Sequence, residues 1–126
     1  MLSLKLRAWD LESNKMFQVV GLDFNSDVSM IVSVEEQQGV ISNRNIELLD
    51  LMQYTGAIDK NGNELWSKDI VLDEKGNIYT CMFNPLTHTI TLENERDTKH
   101  ISIKYAKVLE VIGNVYENKE LLKTGE

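Results

Sequence analysis

The sequence predicts a mainly β protein. It reads as an N-terminal β-hairpin lobe followed by a small antiparallel β-barrel, SH3-like in strand count and short hairpins, with a short helical C-terminus. Three observations predict this. Residues alternate with period two at the start, where Leu2, Leu4, Leu6 and Ala8 interleave with Ser3, Lys5, Arg7 and Trp9. Short strand-like runs then recur between turn signals along the rest of the chain. Proline is nearly absent (only Pro85), and glycines punctuate the chain instead, three of the seven (Gly62, Gly76 and Gly113) beside Asn or Lys, where a left-handed turn residue is expected.

The alternation over 2–9 argues for a strand with one buried face. Residues 12–15 read as a turn and 16–24, rich in Val and Phe, as the returning strand, so 3–24 forms a hairpin. Residues 25–27 make a second turn. A third strand covers 28–34 and is broken at Gln37, Gln38 and Gly39. Residues 40–58 are ambiguous. Ile46, Leu48, Leu49, Leu51 and Met52 fit a short helix capped by Asn43 or Asn45, or a strand running into Tyr54 and Thr55. The reading adopted is a strand over 50–58 with irregular structure or a helical turn before it.

Asp59-Lys60-Asn61-Gly62 is the clearest turn, a hairpin signal flanked by Ile58 and Leu65. A strand begins at 69–72, residues 74–77 turn the chain, and 78–83, 88–92 and 100–104 continue the pattern. Residues 108–112 form one more strand and Gly113 bends the chain. Residues 116–123 close in a helical turn with Asn118 as its N-cap. A loose joint near 35–45 divides a single domain, 1–126, into sub-lobes 1–40 and 46–118.

Bulk composition excludes several classes. A chain of 126 residues suits one domain. Its 42% hydrophobic and 26% charged content is ordinary for a globular protein, and its apolar runs are far shorter than a bilayer span. The first ten residues carry charges and no apolar block, so no secretory signal is expected. The net charge is −7, with four basic and nine acidic residues in 1–59 and nine and eleven in 60–126. No basic face exists, which disfavours nucleic-acid binding by counterion release and adhesion to acidic membranes. The nearest exception is Arg96, Lys99, His100, Lys104 and Lys107, with Glu93, Glu95 and Asp97 beside them. A solvated mixed-charge strand face accounts for it.

Side-chain chemistry is sparse. Cys81, the single cysteine, sits in a strand-like run and reads as a packed residue, with His88 and His100 the histidines a nucleophile would need. Those histidines are too far apart in sequence for a zinc pair. Asp59-Lys60-Asn61-Gly62-Asn63-Glu64 superficially resembles the start of a calcium loop, but its glycine falls too early and no helix precedes it. No metal or other cofactor is expected. Asp10, Asp59 and Asp69 could support hydrolysis if two converged, although an aspartate at a turn more often bonds its own backbone. No phosphate-cradling loop or nucleophile elbow occurs. Trp9, Tyr54, Trp66, Tyr79, Tyr105 and Tyr116 are spread over different strands. They would serve the core, a barrel seam, or a stacking groove for a peptide or a single strand.

Three segments carry a family resemblance. They are Leu6 to Asp10; the stretch from Leu51 through the Asp59 turn to Lys68-Asp69-Ile70-Val71; and Val111-Ile112-Gly113-Asn114-Val115-Tyr116-Glu117-Asn118 with Glu120-Leu121-Leu122. In that order they resemble the YopX family of phage and prophage proteins. The family usually places a glycine where Lys68 stands, which leaves a left-handed backbone at 68 open. It usually has proline where Lys119 stands, at little cost, because lysine also starts a helix. The resemblance implies a mostly β protein of the bacterial host cytoplasm and makes self-association plausible. It carries no catalytic residues across.

These readings converge on a non-catalytic, self-associating interaction module that binds a host or phage protein through a strand edge or an aromatic groove. Trp9, Tyr54, Trp66, Tyr79, Lys104 and Lys107 are the candidate binding surface. The rival reading is a nucleic-acid accessory protein using 96–107 and the barrel aromatics.

Overall fold

The computed structural model describes residues 5–24 and 30–123. Leu2 and Leu4, the turn at 25–27 and the start of the strand read at 28–34 lie outside them. The chain divides into two units, Met1–Gln53 and Tyr54–Glu126.

The first unit is an antiparallel meander. Its strands are β1 (Leu6–Asp10), β2 (Lys15–Phe24), β3 (Met30–Gln37), β4 (Val40–Asn45) and the first half of β5 (Leu49–Ile58), in the spatial order β4-β3-β2-β1-β5. The β1–β2 hairpin pairs Ala8 with Phe17 and Trp9 with Met16. Ala8, Phe17, Val32, Val34 and Leu49 form its buried core. A bulge between Val19 and Gly21 leaves Val20 half exposed. Residues 35–45, read from sequence as a loose joint, form the β3–β4 hairpin, with Gly39 left-handed at its turn. A short 3₁₀ turn, Ile46–Leu48, connects β4 to β5, and the Asn45 side chain accepts the Glu47 N–H at its start (3.0 Å).

That connection has a geometric consequence. β4 and β5 are opposite ends of the meander, yet three residues join them. The sheet must therefore curl on itself. Arg44 on β4 reaches Asp10 on β1 across the curl (2.7 Å), and the Leu11 N–H donates to the Leu48 carbonyl (3.0 Å).

The second unit holds the rest of β5, β6 (Glu64–Trp66), β7 (Asp69–Leu72), β8 (Ile78–Asn84), β9 (Thr89–Glu93), β10 (Thr98–Ser102) and β11 (Glu110–Asn114). Strands β7 to β11 form one antiparallel sheet ordered β10-β9-β8-β7-β11. β10 and β11 are its two edges, so this sheet does not close into a barrel. The β5–β6 hairpin is bulged between Tyr54 and Ala57, with Gly56 left-handed there and the Thr55 hydroxyl donating to the Leu65 carbonyl (2.6 Å). Leu65, Val71, Tyr79, Cys81, Ile90, Leu92 and Leu109 fill the core.

The run at 100–104 was expected to stay extended. Instead β10 ends at Ser102 and a 3₁₀ turn, Ile103–Val108, follows. Partly buried Ile103 and fully buried Ala106 and Leu109 are spaced by three, the 3₁₀ repeat. A final 3₁₀ turn covers Lys119–Lys123. The Asn118 side chain turns backward to accept the Asn114 N–H (3.0 Å). Among the described residues, no helix is long and apolar enough to cross a membrane.

Candidate functional site

The three candidate acids are each tied to backbone. Asp10 is 1% exposed and accepts the N–H groups of Glu12 (2.9 Å) and Ser13 (3.3 Å) while pairing with Arg44. Burial works against its charge, but those two amides and the Arg44 guanidinium outweigh it and hold the carboxyl below its ordinary pKa. Arg44 also lies over the Phe17 ring (5.3 Å) and reaches Glu36 (3.3 Å).

Asp59 is 4% exposed. One oxygen accepts the N–H groups of Asn61 (2.9 Å) and Asn63 (2.8 Å), and the other accepts the Val111 N–H on β11 (2.8 Å). Burial again opposes the charge. The Val111, Asn63 and Asn61 donors prevail and hold the pKa below its ordinary value. The resemblance to a calcium loop is thus explained by a hairpin whose cation role is filled by N–H groups. Asp69 accepts the Trp66 N–H (2.7 Å) in the same manner. Among the described residues no cluster of three His, Cys, Asp or Glu side chains could hold a metal ion.

The turn read at 74–77 is a second copy of the Asp59 turn, closed by Asp73, whose role sequence reading missed. Asp73-Glu74-Lys75-Gly76-Asn77 repeats the Asp-x-x-Gly-Asn pattern of residues 59–63. Asp73 accepts the N–H groups of Lys75 (2.9 Å) and Asn77 (2.8 Å), and Gly76, like Gly62, is left-handed. The repeated five-residue pattern was the available signal.

Lys68 keeps the left-handed backbone where the resembled family has glycine, with φ of 77°. Its N–H donates to the Cys81 carbonyl (2.7 Å) and its carbonyl accepts from Val115 (3.0 Å). Two backbone partners hold it there despite the side chain.

The aromatic candidates do not form an exposed groove. Trp9, Trp66 and Tyr79 are 8%, 5% and 2% exposed. Tyr54 is half-buried against Trp66, ring centroids 5.5 Å apart. Tyr79 packs within the second core, with the Lys99 ammonium 5.1 Å from its ring centre. These rings were needed for packing, because small sheets have few large apolar side chains to bury. Lys104 and Lys107 are exposed, three apart on the 3₁₀ turn, which sets them side by side.

Two surfaces remain as candidate sites. One is the edge strand β4, which pairs only with β3 among the described strands and exposes Val40 (45%) and Ile41 (51%). The other is a groove on the second unit's sheet. Two hollows, about 490 and 670 Å³, share Thr80, Glu93, Asn94 and Glu95. Leu121 and Leu122 wall the first hollow, and Val115 the second.

Solved structures resemble the chain, two of them as follows. Protein EF1440 from Enterococcus faecalis matches with a TM-score of 0.64 at 22% identity, over 98% of this chain and 100% of that one. Protein yopX from Bacillus subtilis matches with a TM-score of 0.58 at 20% identity, over 94% of this chain and 98% of that one. At these identities the likeness is one of fold. No curated protein matches the chain. The family model described as YopX protein matches residues 5–123, and with the fold likeness this means that the chain belongs to the YopX family.

Proposed function

We propose that this chain is a non-catalytic interaction module of the bacterial host cytoplasm, which self-associates through the open edge of β4 and binds a host or phage protein. The carrying observation is the character of that edge. An unpaired strand presents a row of free N–H and C=O groups, and proteins that stay apart blunt it with lysine, proline or charge. β4 has neither lysine nor proline, its one charged residue, Arg44, is engaged by Asp10 and Glu36, and it exposes Val40 and Ile41. Of the two edges of the other sheet, β10 carries Lys99 and His100 and exposes almost only polar residues, and β11 has no exposed residue. β4 is therefore the edge suited to pairing. The absence of catalysis is supported by Asp10, Asp59 and Asp69, whose carboxylates are occupied by backbone donors. An SH3-like second unit fits the same proposal: its short strands meet in tight hairpins, and a 3₁₀ turn leads into the last strand. That likeness carries no function by itself.

The test is capture of partners by the tagged protein from host lysate, with and without nuclease, with its mass measured by light scattering. A protein partner that survives nuclease and a mass above 14.4 kDa are expected. A monomer that recovers only nuclease-sensitive material contradicts the proposal.

The nucleic-acid reading rests on the paired cations of Lys104 and Lys107. Their joint replacement by glutamate separates the two. The interaction module keeps its partner, whereas a nucleic-acid binder loses affinity and salt dependence.

A further inference from the structure

The groove in the second unit has a defined floor. Tyr79 and Cys81 point into the core, so strand alternation turns Ile78, Thr80 and Met82 outward. Those three are only partly buried and line the hollows. The floor runs for about 14 Å, the rise of four strand residues. That length seats a short extended peptide, with side chains two apart facing the floor.

Its charge is arranged along its length. Arg96 lines one hollow and Lys68 the other, while the shared centre holds Glu93 and Glu95. Both glutamates are exposed, and neither makes an ion pair among the described residues. Apolar contacts flank that acidic centre, Ile78, Leu121 and Leu122 in one hollow and Met82 and Val115 in the other.

We infer that this groove binds an extended peptide segment carrying a single Lys or Arg with an apolar residue two positions to either side, the cation meeting Glu93 and Glu95. This rests on the reading of the chain as an interaction module. The bound segment would lay its apolar side chains on Ile78 and Met82 and against Val115 and Leu122. The chain's overall −7 charge would favour approach of such a cation. Single-stranded nucleic acid is the wrong occupant, because its phosphates would face the two glutamates.

The test uses fluorescence anisotropy with two labelled heptapeptides, Gly-Leu-Ser-Lys-Ser-Leu-Gly, whose leucines and lysine share one face when extended, and the same peptide with Glu for Lys. The full chain is expected to bind the Lys peptide about fivefold more tightly at low salt, a factor two exposed ion pairs can supply. Combining Glu93→Gln with Glu95→Gln should abolish that preference. Combining Glu93→Lys with Glu95→Lys should reverse it, and Glu12→Gln should leave it unchanged. Equal binding of both peptides by the unaltered chain, or a preference that survives the double glutamine variant, overturns the inference. Light scattering on the same samples separates the two claims. A self-associated chain without peptide preference sinks the groove alone. A monomeric chain that keeps the preference sinks the β4 edge and leaves the groove standing.

Discussion

Asp59 and Asp73 perform the same local task with unequal reach. Each closes a five-residue turn by accepting the N–H groups two and four residues on. Only Asp59 extends a second oxygen to Val111, 52 residues away, and only Asp59 is buried. Asp59→Ala should therefore cost about 3 kcal/mol, since it orphans buried donors of a charge-assisted network. Asp73→Ala should cost about 1 kcal/mol, like loss of a local capping side chain, its Lys99 pair at 3.8 Å adding little. Urea denaturation of the two variants measures the difference, and equal losses would contradict the assigned roles. Lys68 offers an opposite case. Its left-handed backbone is strained by a side chain, so Lys68→Gly should stabilise the fold by about 0.5–1 kcal/mol after glycine's entropy cost. The turn at 59–63 was legible because its signature is local. The bond to Val111 was not, because nothing in a sequence marks a partner that distant.

At the scale of elements, the misread segment is instructive. Ile101 and Ile103 alternate with polar residues, which imitates a strand. The spacing of Ile103, Ala106 and Leu109 is the competing signal, and burial of the last two decided for a 3₁₀ turn. Whether Trp66 and Tyr79 serve the core or a surface was unreadable for a related reason. Period two places Trp66 and Tyr79 on one strand face or the other, but which face meets the core depends on pairing that sequence does not state. β4 lay inside a stretch read as a joint, because Ser42, Asn43, Arg44 and Asn45 look like a loop. Its pairing with β3 makes it a strand regardless. Ile41→Lys places a charge on that edge. It should lower the apparent mass of the protein while leaving the thermal midpoint of the folded unit within a few degrees, measured by light scattering and circular dichroism. A large fall in the midpoint would instead mark Ile41 as part of the fold.

Across the whole molecule, the residues that carried the resemblance are those that fix backbone: Asp10 at the β1–β2 turn, Asp59 and Asp69 in the second unit, Asn114 and Asn118 at its end. Their shared work predicts how the protein responds to acid. Asp10, Asp59 and Asp73 have folded pKa values below the ordinary one, because donors and cations outweigh burial. A depressed carboxyl contributes fully above its unfolded pKa, about 3.9, and that contribution is lost as pH falls through the folded value. Stability should thus hold from neutral pH to about 4 and then decline. Asp59→Asn, which cannot ionise, should show a shallower decline, and denaturant melts across that range would reveal a parallel one if the account of Asp59 is wrong.

Self-association is the central claim, and a light-scattering dilution series compares the unaltered chain with Ile41→Lys most directly. The account predicts a mass above 14.4 kDa for the first, falling on dilution, and a monomer throughout for the second. A monomer in both, or an unchanged oligomer in both, would contradict the assignment of β4 as the associating edge.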